Sequence, residues 1–164
     1  MYITFAEYSQ LYGKIDEATF DRLVFDACRV MDIHTTGIDN VKKLKRFPPV
    51  DADDDMAVKH CAAKIVKLLY QINHAEATAL ESAGYESTEM GMRGKVISSI
   101  TAGNESISYV AGNSSATAID AAAKDKTVRN KLIADIVWEY LSCVTDSNGV
   151  NLLYMGHYPR GYLC

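Results

Sequence analysis

A chain of 164 residues, 48% hydrophobic and 23% charged, has ordinary soluble composition and can bury about two-thirds of its unfolded surface in one core. Its net charge of −4 argues against broad, non-specific binding to nucleic acid. No apolar run approaches the roughly 20 residues of a bilayer span, and Met1–Tyr8 lacks the basic and apolar regions of a signal peptide.

Thr4-Phe-Ala-Glu7 is a capping-box pattern and predicts a short helix from Phe5 to Tyr12, stopped by Gly13. Asp16 is the expected N-cap of a second helix, with Phe20, Leu23, Val24, Ala27, Val30 and Met31 as its buried stripe and an end near Thr35–Gly37. A helical turn or two is expected at Asn40–Arg46, before the break at Pro48-Pro49. The run Lys42-Lys-Leu-Lys-Arg46 is the one basic cluster and is expected to be a solvated face.

The organising element is Asp54–Ser82, expected to be one long amphipathic helix. Val58, Cys61, Ala62, Ile65, Leu68, Leu69 and Ile72 recur at three- and four-residue steps, with His60, Lys64, Lys67, Gln71 and His74 on the opposite stripe. Asp53, Asp54 and Asp55 suit the positive end of its dipole. From Gly84 to Ser115 the chain turns Gly- and Ser-rich. Lys95–Thr101 and Glu105–Val110 are expected to form a β-hairpin across Ala102-Gly-Asn104. Thr117–Val144 is helical again, with a bend near Lys124–Thr127. The fold class expected is therefore mainly α, a small bundle of about four to five helices with an inserted β-hairpin. Residues 1–149 form the helical domain, with the hairpin at about 94–111, and 150–164 form an extended C-terminal tail.

Sequence motifs for chemistry are sparse. Asp51-Ala-Asp-Asp-Asp55 would need Gly and Glu where Met56 and Ala62 stand to be a calcium loop, so it reads as helix-capping acid. His60 and His74, 14 residues apart, lie about 21 Å apart along a helix, too far to hold one metal together. There is no HExxH, paired CxxC, G-x-S-x-G, P-loop or G-x-G-x-x-G. The scattered Cys28, Cys61, Cys143 and Cys164 read as reduced thiols. No catalytic residue, metal or cofactor is expected. For the apolar tail two readings stand about even: Val150–Met155 folds back and pairs with the hairpin of its own chain, or it extends onto a partner by strand addition.

The order of these pieces resembles a known family. Met1-Tyr-Ile-Thr-Phe-Ala-Glu-Tyr8, Asp16-Glu-Ala-Thr-Phe20-Asp-Arg-Leu23, Glu105-Ser-Ile-Ser-Tyr109, Asp125–Val144 and Gly149-Val-Asn-Leu-Leu-Tyr154 are together similar to the small head–tail connector, or adaptor, proteins of long-tailed bacteriophages. The resemblance implies a structural virion protein, not an enzyme, whose copies form a ring, typically twelvefold, beneath the portal. Its partners would be the portal protein, a neck or tail-completion protein and further copies of itself. Genomic DNA would pass through the channel without specific binding, and no membrane is involved. The place implied is the virion neck, after synthesis in the bacterial host cytoplasm.

Partner anchors expected on this basis are Val150, Leu152, Leu153, Tyr154 and Met155. Lys95, Ile107 and Tyr109 of the hairpin are expected to face a partner or the channel. Deleting Val150–Cys164 is expected to leave the helical fold intact and abolish portal binding. The chain departs from the family after Tyr154, where Met155 replaces a basic residue and His157–Cys164 extend the tail. The alternative is a small cytosolic helical protein, regulatory or metal-binding, using His60, His74 or the carboxylates of residues 51–55.

Overall fold

The computed structural model describes residues 1–13, 15–82, 85–88, 91–94 and 117–159. Helix α1 spans Phe5–Tyr12. The Thr4 hydroxyl accepts from the Glu7 N–H at 3.3 Å, and the Glu7 carboxylate accepts from the Thr4 N–H at 2.8 Å. The reciprocal cap satisfies two backbone donors left over at a helix start. Gly13, at φ +83°, ends the helix in a conformation that a side chain would strain. Helix α2 spans Glu17–Thr35, and the Asp16 carboxylate accepts from the N–H groups of Ala18 and Thr19. Phe20, Leu23, Val24, Ala27 and Met31 are buried along one face, whereas Val30 is only partly covered.

Helix α3 is the single turn Lys43–Arg46. Helix α4 runs from Ala52 to Ser82. It begins two residues before the expected start because Asp51 accepts the N–H groups of Asp53 and Asp54 at 2.9 and 3.3 Å. Helices α5 (Ala118–Lys124) and α6 (Lys126–Leu141) break at Asp125. That residue is extended, and its side chain accepts the Thr127 N–H at 2.7 Å, so it restarts the helix inside the expected bend. Strands β1 (Tyr85–Thr88) and β2 (Gly91–Gly94) pair antiparallel, Tyr85 opposite Gly94 and Thr88 opposite Gly91. This pair precedes the hairpin expected from sequence, whose strands Lys95–Thr101 and Glu105–Val110 lie outside the described residues. The fold is mainly helical, with six helices among the described residues.

The chain divides into two compact units. The first takes residues 1–70 and those from Asn130 onward. Its core joins Ile3, Tyr8, Phe20, Met31, Leu44, Val58, Ile65, Val66, Val137, Leu141 and Leu152. Phe20 meets the rings of Phe5 and Tyr8 at centroid distances of 5.5 and 5.3 Å, contacts that add to plain burial. Lys59 ties α1 to the start of α4, with Glu7 and Asp55 both at 3.1 Å. The second unit takes Gln71–Arg129. Within it Thr117 and Asp120 form another reciprocal cap at the head of α5, and Ile72 and Ala122 are buried. Among the described residues no helix is long and apolar enough to cross a membrane.

Candidate functional site

Residues 142–159 are held by hydrogen bonds rather than by helix or sheet. The Asp146 N–H donates to the Val150 carbonyl, Leu152 donates to the Val144 carbonyl, and Thr145 bridges to Asn151. Gly149, at φ +76°, makes the turn between them. The buried Asp146 carboxylate accepts the N–H groups of Asn148 and Val150 at 2.9 Å each, together with the Tyr158 hydroxyl. Asp54, in the first turn of α4, accepts both the N–H and the hydroxyl of Thr145.

The segment is then fastened to the loop between α2 and α3. Lys43 is 1% exposed, and its ammonium donates to the carbonyls of Asn151, at 3.2 Å, and Tyr154. Burial pulls the Lys43 pKa down, and the charges of Asp146 and Asp39 push back. The Ile38 N–H donates to the Met155 carbonyl at 3.1 Å, and the Tyr158 N–H to the Asp39 carboxylate at 2.6 Å. That bond is the main reason the Asp39 carboxyl is held below its usual range. The Tyr158 ring stacks on Phe47 at 4.9 Å. The basic run expected to be a solvated face is thus corrected at its centre. Lys43 is a structural residue, whereas Lys42, Lys45 and Arg46 are exposed as expected, Lys45 pairing with Asp32 at 2.6 Å.

The five expected anchors therefore differ in kind. Leu152 is fully buried in its own chain. Val150 and Leu153 are half-buried, with their N–H groups on Asp146 and Asn151. Tyr154 and Met155 are each 50% exposed, beside the exposed Ile38. Residues 150–159 are not a free extension. They fold back, as one of the two sequence readings held, but onto Val144–Asp146 and the loop before α3. Lys95, Ile107 and Tyr109 lie outside the described residues. His60 stacks on Tyr140 at 6.5 Å, and His74 sits beside the Thr78 hydroxyl. Among the described residues no group of three potential metal ligands occurs.

A second feature escaped the sequence reading. A groove of about 900 Å³ lies along α2, lined by apolar Met1, Val24, Phe25 and Ile33 and by charged Arg29 and Lys42, with Gly37 and Asn40 of the following loop also on its wall. Phe25 and Ile33 stand 68% and 60% exposed. They are eight residues apart, so both lie on one face of α2, outside the buried stripe. Large apolar residues left over beside a complete stripe were the available signal. At the groove's polar end Asp32 accepts the Tyr2 hydroxyl and pairs with Lys45. Burial first, and then Asp32, push the Tyr2 phenol far above its usual range. Searches of protein-family models, curated proteins and solved structures find no match to this chain.

Proposed function

We propose that this chain is a head–tail connector of a tailed phage or prophage, a structural protein that forms a ring between portal and neck and continues the DNA channel. The observation that carries the reading is the exposed pair Tyr154 and Met155, with Ile38 beside them, on a segment clamped to the core by Lys43 and Asp39. A contact surface held rigid before binding loses little conformational entropy on docking. An aromatic residue and a methionine are the types enriched where proteins meet. The order of sequence pieces resembles that family and supports the reading, in which a hairpin at about 94–111 would be a further surface for the portal, the neighbouring subunit or the channel.

The test is the light-scattering mass of the pure protein, alone and mixed with the portal protein encoded in the same genome. A stable complex with one copy per portal subunit is expected. The double variant Tyr154→Ser, Met155→Ser should keep its helical signal and lose the complex. No association across a range of salt concentrations would overturn the reading and return attention to a regulatory helical protein.

A further inference from the structure

We propose that the groove along α2 receives the exposed face of α6 from a second copy of this chain. The charged residues on the groove wall are Asp21, Arg29, Asp32, Lys42 and Lys45. Asp32 and Lys45 pair with each other at 2.6 Å. Asp21, Arg29 and Lys42 are left, two cations against one acid, and none of the three is in an ion pair among the described residues. Asp21 and Arg29 are eight residues apart, about 12 Å along the helix axis, with Phe25 midway.

The other half of the contact is α6. Trp138, the single tryptophan of the chain, is 67% exposed there. Lys131, Asp135 and Glu139 are exposed on the same face, a sector of about 100°, and again make no ion pair among the described residues. This face carries two acids against one cation, the reverse of the groove. Lys131 and Glu139 are also eight residues apart, with signs opposite to Asp21 and Arg29. Laid parallel to α2, α6 sets Lys131 against Asp21 and Glu139 against Arg29 in one register. Trp138, about 10 Å beyond Lys131, then enters between Phe25 and Arg29. The antiparallel arrangement would oppose like charges at both ends. Tryptophan and arginine are the residue types that dominate interface energies, and an indole over a guanidinium adds a cation–π attraction. The groove and the α6 face share no residue, so the contact is head-to-tail, and its repetition closes a ring or extends a filament. It could serve between neighbours in the ring proposed above, but it is argued without that reading and is tested without the portal, so either can fail alone.

The experiment uses two full-length variants, each lacking one half of the contact. Phe25→Asp spoils the groove and keeps Trp138, whereas Trp138→Ser spoils the α6 face and keeps the groove. Both positions are exposed, so both variants are expected to retain the parent's circular dichroism. Mixed, they are expected to form a one-to-one pair by light scattering, which cannot grow further. Trp138 is then the only tryptophan in solution, and its emission is expected to shift to the blue as it leaves water. Adding Arg29→Glu to the groove-bearing copy is expected to weaken the pair about tenfold or more, and Glu139→Arg in the other copy to restore it. No blue shift at about 1 mM of each variant would overturn the proposal. So would an equal shift in the Phe25→Asp variant alone, or a charge exchange that restores nothing.

Discussion

Lys43 shows how one side chain can hold two distant stretches together. Its ammonium is the donor for two carbonyls, Asn151 and Tyr154, and offsets the charge of the buried Asp146 carboxylate beyond that group's own hydrogen bonds. Lys43→Met keeps the aliphatic stem and removes the charge. It leaves carbonyls short of a donor and an acid without its counter-charge, and is expected to cost roughly 2–4 kcal/mol, read from guanidinium unfolding. Glu7 is a different case, mostly exposed and acting locally. The Thr4 N–H and hydroxyl, with Lys59 behind them, hold its carboxyl down to about 2 from the usual 4.5. Between those values the unfolded chain binds the extra proton. The contribution of Glu7 is therefore complete above about pH 4.5 and vanishes as pH falls through about 2. Melting temperatures of the protein and of Glu7→Gln should differ by a constant amount at neutral pH and converge across that window.

At the scale of elements, the C-terminal segment and the loop before α3 behave as one piece. They touch backbone to backbone at Gly37, where an added Cβ would sit 2.6 Å from the Gly156 carbonyl oxygen. That obstacle is main chain and has no rotamer to escape into. Gly37→Ala should therefore push the two segments apart at a cost of about 1–3 kcal/mol. Hydrogen exchange should quicken at the Ile38 and Tyr158 amides, which bond across this junction. The same junction marks the limit of what the sequence could tell. The limits of α1, the cap of α2 and the break at Asp125 were legible because Thr4, Asp16 and Asp125 act on amides two or three residues away. The burial of Lys43 was not, since its partners lie 108 and 111 residues further on and no local pattern marks a lysine for the interior. The groove was half legible. Phe25 and Ile33 stood off the buried stripe of α2, but only the fold brings Met1 and Gly37 to them.

For the whole molecule, the folded-back segment changes what a truncation means. From sequence, removal of Val150–Cys164 is the removal of an arm. In the structure it takes the fully buried Leu152 and the buried Tyr158 out of the first unit and strips Lys43 and Asp146 of their partners. Loss of one buried leucine side chain alone costs about 2–5 kcal/mol, so the deletion is expected to remove more than about 4 kcal/mol and broaden the thermal transition. Loss of portal binding by that variant would therefore report unfolding rather than a missing contact. Substitutions at Tyr154 and Met155 are the ones that isolate the surface.

The fastening of Asp39 to Tyr158, 119 residues apart, also sets a timetable for synthesis. A ribosome adding roughly 5–20 residues per second needs roughly 6–24 s to travel between them. Through that interval α2 and the first half of α4 exist without the carbonyls that will receive Lys43 or the leucine, Leu152, that completes the core. The nascent chain therefore emerges with its interior unsealed, and closure waits for residues 151–158. A premature stop shortly before Leu152 would yield not a slightly shortened protein but a lasting version of this unsealed intermediate, a substrate for chaperones and proteases.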